Sequence, residues 1–348
     1  MKKRICILML CCLAFAITAC QGKGNISRSD SSSGEPPASI SEETDTQAVD
    51  NEQPEETIQQ PEEYLSGETP AQQSDSGNPI VYMTTDISPE GLMAVYEALG
   101  ASPEGKIAVK IASGEPGSNY LRPELIGDFV QSFDDVALVE CNTIYGRFRT
   151  ATAMHYQTAE DHGYLEIADF DVMDEDGFIA LPVEGGSNIS ENYVGTHFEN
   201  YDYFIVLSHF KGHTMAGFGG AIKNASIGIA SARGKSNIHG NGFIEAMAEA
   251  TKAVSDALDG NILYINVMNR LSLDCEEDPR EPEIHDIGIL ASFDPVALDQ
   301  ACMDLIYQAE GSENFVAQIE RLNAPRTLEH GKEIGLGSRT YQLVSIDE

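Results

Sequence analysis

Basic residues are scarce in this 348-residue chain: 21 Lys and Arg stand against 56 Asp and Glu, a formal net charge of −35. Such a balance argues against nucleic acid or an anionic lipid surface as a partner of the folded part. Cysteine is also thin. Beyond residue 78 only Cys141, Cys275 and Cys302 remain, too few and too widely spaced for a disulfide framework. After the first 19 residues no apolar run reaches the ~20 residues needed to cross a bilayer. The chain has no HExxH pattern and no GxSxG elbow, so neither motif points to a zinc protease or a serine hydrolase. Gly234-Lys235-Ser236 resembles the end of a phosphate-binding loop, but the upstream glycine is missing, with Ile at position 229. No internal repeat is present.

The N-terminus carries Lys2, Lys3 and Arg4, then an apolar run from Ile5 to Ala19. A basic start and an apolar stretch of this length are an export signal rather than a spanning helix. Ile17-Thr18-Ala19-Cys20 resembles a bacterial lipobox, which implies cleavage before Cys20 and lipidation of its sulfur. An ordinary signal peptide or an uncleaved anchor is the alternative. Residues 21–78 hold 13 acidic and 2 basic residues and almost nothing apolar. This segment cannot bury enough surface to offset its ordering entropy and is expected to be a disordered tether. Its root-mean-square reach is about 40 Å. The expected layout is therefore a signal over 1–19, a tether over 20–78 and a folded core over 79–348. That core carries 43 acidic and 16 basic residues, a net charge of −27.

Within the core, apolar strands of five to seven residues alternate with amphipathic stretches. Strands are expected over 80–84, 106–112, 136–141, 178–183, 203–208, 261–268, 286–291 and 341–346. Helices are expected to open at Ser88-Pro89, Pro123, Ala151, Phe243 and Pro295, the last capped by Ser292 or Asp294. This alternation predicts an α/β protein, its sheet largely parallel or mixed, with helices on both faces. Residues 145–200 are a candidate small subdomain.

The most informative local absence lies between Tyr203 and Ile244, where 42 consecutive residues contain no Asp or Glu. At the core's average, such a window would hold about six or seven. Inside it, Ser208 to His239 reads SHFKGHTMAGFGGAIKNASIGIASARGKSNIH, with three of the eight histidines and four basic residues. The stretch follows an apolar strand, and ligands of α/β sheets gather at strand carboxyl ends. His209 and His213, at i and i+4, would converge on a metal if helical, with His239 as a third nitrogen. Lys211, Lys223, Arg233 and Lys235 suggest a positive pocket. Gly219 and Gly220, entering a helix that holds Lys223 and Asn224, suggest an anion cradle. Lys110, at the end of a strand, points into the same crevice or sits at an edge. The acidic run Asp274 to Asp278 is a metal loop or a solvated one. A packed small-residue segment that excludes acids by burial is the plainer reading of the whole stretch.

At these residues the chain resembles the domain-of-unknown-function 362 (DUF362) family. Three blocks carry the resemblance in family order: KIAVKIASGEPGSNYLRPELI at 106–126, VLSHFKGHTMAGFGGAIKNASIGIASARGKSNIH at 206–239, and DIGILASFDPVALDQACMDL at 286–305. Relatives are frequently labelled iron–sulfur-centre proteins, and many carry a CxxCxxCxxxCP insert after the basic block. Nothing of that kind lies between His239 and Asn261, so this is a short form in which a 4Fe–4S cluster is not expected. The resemblance implies a shared pocket and no particular reaction. Two functions remain open for a lipid-anchored, extracytoplasmic protein. One is an enzyme with His209, His213 and Lys211 in catalysis and a divalent metal on His209, His213 and His239. The other is a non-catalytic receptor presenting the same pocket; in both, an anionic small molecule is held by residues among Lys110, Gly219, Gly220, Lys223, Asn224, Arg233 and Lys235. A redox carrier is disfavoured by the missing cysteines.

Overall fold

The computed structural model describes residues 77–115, 117–144, 151–274, 282 and 284–347. The signal, Cys20, most of the tether, Arg147, Arg149, Cys275 and most of the acidic run after Asp274 lie outside the described residues.

The chain enters with β1 (Ile80–Thr84) and α1 (Pro89–Leu99), whose first turn is held by Ser88 Oγ accepting from Gly91 N at 3.1 Å. Gly100, at φ 63°, ends that helix in the left-handed region that glycine tolerates. Then come β2 (Ile107–Lys110), α2 (Pro123–Val130), β3 (Val136–Glu140), α3 (Thr152–Asp161) and β4 (Asp169–Val172). A hairpin follows, of β5 (Phe178–Pro182) and β6 (Glu191–Gly195). The central strand β7 (Tyr203–His209) leads into a small ribbon of β8 (Lys211–His213) and β9 (Gly217–Gly219). Next are α4 (Ala221–Lys223), which continues as a π-type turn over Asn224–Gly228, α5 (Ala232–Gly240) and α6 (Phe243–Ala257). The chain closes with β10 (Ile262–Met268), β11 (Gly288–Ser292), α7 (Pro295–Gln308), α8 (Glu313–Arg321), α9 (Pro325–Glu333) and β12 (Gln342–Ser345). Of the two expected caps on α7, Asp294 takes the role, accepting from Ala297 N at 2.9 Å.

The main sheet runs β12-β1-β11-β10-β7-β2-β3-β4. Only β11 pairs antiparallel with its neighbours, so the sheet is mixed but mostly parallel. The continuous apolar runs of β7 and β10 have their cause here. Tyr203, Ile205 and Leu207 face one core together with α1 and α2, while Phe204 and Val206 face another with α6 and α7. Residues 151–200 are not all peripheral, since β4 is an edge strand of the main sheet.

From β2 the chain winds outward through β3 to β4; from β7 it winds the other way to β10. The sheet therefore switches direction between β2 and β7, and their carboxyl ends, Lys110 and His209, open on the crevice where such folds bind ligands.

Candidate functional site

A cavity of about 130 Å³ lies at that switch point. Its base is built on β2. Side chains alternate along the strand, so Lys110 shares the face of Ala108, yet it carries a charge at 1% exposure. Its ammonium donates to Glu140 Oε2 and Asn224 Oδ1, both at 3.0 Å, and to the Ile111 carbonyl. Three donors meet three acceptors. Glu140 Oε1 accepts from Ser113 N at 2.7 Å and Ser113 Oγ at 3.0 Å. Asn224 Nδ2 reaches the carbonyls of Lys110 and Leu207, each at 3.2 Å, and Ser208 Oγ at 3.1 Å, tying β2 to β7. Gly228 closes over this cluster: a Cβ there would lie 2.6 Å from Asn224 Oδ1 and 2.8 Å from Lys110 Cε. Lys110 is thus no edge lysine, and both it and Asn224 have their polar groups committed to the protein.

The opposite side comes from the acid-poor stretch. After β7 the chain stays extended, so His209 and His213 are separated along a strand path, with a span of about 13 Å at full extension, and not by one helical turn. His213 Nδ1 accepts from Met215 N (3.2 Å) and Ala216 N (3.0 Å), which places the neutral ring's proton on Nε2. His213 is therefore a hydrogen-bond donor, and its Nε2 offers no lone pair to a metal. His209 Nε2 donates to the Asn269 carbonyl at 2.7 Å, leaving Nδ1 as a buried lone pair without a hydrogen-bond partner. His239 Nδ1 donates to the Lys235 carbonyl at 2.7 Å, and the ring stacks on Phe243 outside the cavity lining. The three histidines do not form one ligand set. Among the described residues, the one group of three His, Cys, Asp or Glu ligand atoms within 4.8 Å of one another is Glu175, Asp176 and His197. There both ring nitrogens of His197 are already held, by Asp171 at 2.8 Å and Asp176 at 3.1 Å.

Burial pushes the His209 imidazole down to about 3, with Lys211 adding repulsion. Burial also lowers His213 well below its ordinary value, helped by Lys223, His239 and Lys211. Both rings are neutral at neutral pH.

Four lysines line the cavity: Lys110, Lys211, Lys223 and Lys235. It is not acid-free, because β3 delivers Glu140 and the loop after β2 delivers Glu115. Lys211 Nζ donates to the Asn119 carbonyl at 2.6 Å. Lys235 Nζ, 3% exposed, donates to the carbonyls of Ala230 at 2.6 Å and Cys141 at 3.4 Å, and burial lowers its pKa. Lys223 is part-buried; its carbonyl accepts from Ser226 Oγ, but its ammonium makes no hydrogen bond or ion pair with the described residues. Arg233 lies elsewhere, its guanidinium over the rings of Tyr193 (4.3 Å) and Phe178 (4.8 Å).

Gly219 and Gly220 do lead into α4, but the anion at that helix start is internal. Asp299 of α7 accepts from Ala221 N at 2.8 Å and Ile222 N at 3.0 Å, with Asn266 Nδ2 at 2.8 Å. A Cβ at Gly220 would collide with this carboxylate. Burial pushes Asp299 up to about 6 against these hydrogen bonds. Sequence reasoning missed Asp299 and Glu140. The available signal was an acid inside an otherwise apolar helix (PVALDQACM) and one ending an apolar strand (VALVE).

The cysteines do not suit an iron–sulfur cluster among the described residues. Cys141 follows β3 and Cys302 lies on α7; both are buried free thiols. Burial pushes Cys141 up to about 12 and Cys302 well above its ordinary value, opposite to the thiolate that ligation needs.

The chain belongs to the family described as domain of unknown function (DUF362), whose model matches residues 107–304. No curated protein matches it. Among solved structures, the lactate racemase apoprotein from Thermoanaerobacterium thermosaccharolyticum is similar, with a TM-score of 0.41 and 14% identity. The match covers 65% of this chain and 56% of the racemase chain, so this chain spans little more than half of that protein's length.

Proposed function

We propose that this domain binds a small anionic organic molecule at the carboxyl ends of β2 and β7. In this reading the lipobox-like segment and acidic tether display it outside the membrane through a lipid on Cys20. The observation that carries the reading is the convergence of four lysines and two glutamates on one cavity of a strongly acidic chain. Lys223 is the anchor, a cation with no partner among the described residues, and His213 Nε2–H is a neutral donor. With His209 near 3 and His213 also depressed, these rings are hydrogen-bonding groups at neutral pH rather than proton carriers, which favours binding over acid–base catalysis.

Calorimetric titration and thermal shift with carboxylates and phosphates test the proposal. Wild type binds at least one class, and Lys223→Ala weakens that binding by roughly 10- to 100-fold, the worth of one charge-assisted hydrogen bond. Equal affinity in the variant rejects Lys223 as anchor.

A second reading, a metal-dependent enzyme, draws on the unpartnered His209 Nδ1. Metal analysis of untagged protein decides it: stoichiometric metal lost in His209→Ala supports the enzyme, and metal-free protein indifferent to chelator removes it.

A further inference from the structure

The four cavity lysines differ in what balances their charge. Lys110 has the Glu140 carboxylate at 3.0 Å. Lys211 is bound to a carbonyl, and Lys223 reaches partly into solvent. Lys235 is the anomaly: it is almost wholly buried, lines the cavity, and among the described residues has no carboxylate within 4.0 Å, only the carbonyls of Ala230 and Cys141. A buried ammonium without a counter-ion is expensive, and two carbonyls leave one of its three hydrogens unassigned. An anion entering the cavity would supply the missing charge.

Lys235 and Lys223 also stand in different surroundings. The charges acting on Lys235 are those of Asp174, Glu140 and Lys110, around the end of β3. His239 feels both lysines, but of the two only Lys223 acts on His213, and the Lys223 side chain passes beside Gly219. One cation thus serves the deep end by β3 and the other the end by the β8–β9 ribbon. The base between them, Lys110 with Glu140 and Asn224, is internally neutralised and has no affinity to spare.

We propose that the cavity takes a two-headed ligand, a short dicarboxylate, with one carboxylate on Lys223 and the other on Lys235. This rests on the anion-binding reading and narrows its ligand class. The cavity volume limits the ligand to a few carbons between its ends.

The test is calorimetric titration of the full-length chain with malonate, succinate and glutarate against propionate and butyrate at fixed ionic strength. At least one dicarboxylate binds ten-fold or more tightly than the monocarboxylates. In Lys235→Met that preference falls to within about two-fold while monocarboxylate binding persists. Equal binding of both classes by wild type overturns the two-headed ligand and leaves the anion site standing. Binding of neither class, with phosphates also silent, overturns both. A preference that survives in Lys235→Met removes Lys235 from the assignment. Should that variant fail to fold, the wild-type comparison alone decides.

Discussion

The two sides of the cavity use the same kinds of side chain to opposite ends. On the β2–β3 side, Lys110, Glu140, Asn224 and Ser113 satisfy one another, and Gly228 seals them in. On the β8–α5 side, among the described residues, the Lys223 ammonium has no partner, Lys235 has no counter-ion within 4.0 Å, and one nitrogen of His209 has no hydrogen bond. A lysine on the first side is architecture, because its bonding capacity is exhausted. In the proposed reading, a lysine on the second is a resource for a ligand. Charge and residue type do not separate them; partner counting does.

Breaking the satisfied side carries the largest expected effect. Glu140→Ala leaves Lys110 buried with its positive charge unpaired and should cost about 3–5 kcal/mol in denaturant unfolding. Lys110→Met/Glu140→Leu, which removes both charges, should recover most of that loss. If it does not, the pair is worth more than charge neutrality.

Next comes Asp299, which holds the start of α4 and so the placement of Lys223. Its folded pKa of about 6 lies above the ordinary value of 3.8. Its contribution to stability is therefore fullest below pH 3.8 and is lost as pH rises through about 6. His209 has the opposite sign: with a folded pKa near 3 against 6.5, its contribution is full above pH 6.5 and is lost as pH falls toward 3. The two trends oppose each other between pH 4 and 6. Asp299→Asn removes one of them, so the variant should lose stability more steeply than wild type as pH falls across that window. The gap should change by about 3 kcal/mol, from about two units of pKa shift. Parallel stability curves would show that Asp299 is not held as described.

The smallest stability effect belongs to the open side. Lys223→Ala should change unfolding free energy by no more than about 0.5 kcal/mol while weakening anion binding roughly 10- to 100-fold. A large loss of stability would mean that Lys223 also belongs to the architecture.

Much of this fold was legible from local pattern. Apolar runs at β7 and β10, the Ser88-Pro89 entry to α1 and the Asp294-Pro295 entry to α7 depend on neighbours close in sequence. The acid-free stretch after β7 likewise marked eight candidate residues that do line the cavity, from His209 to Lys235. What failed was the assumed local conformation. Extended backbone after His209 separated a histidine pair that helical spacing would have joined, and the hydrogen bonds of His213 set its tautomer against metal binding. Arg233 and His239 shared the stretch but turned to aromatic rings outside the cavity.

The sequence by itself determined a mixed α/β core and pointed to a candidate site after its central strand, because strand length, helix caps and charge composition are local quantities. Only the tertiary structure decided which charges are already balanced. Glu140 reaches Lys110 from 30 residues away, and Asp299 reaches Ala221 from 78. Such pairings depend on strand order and helix packing, which no local pattern encodes.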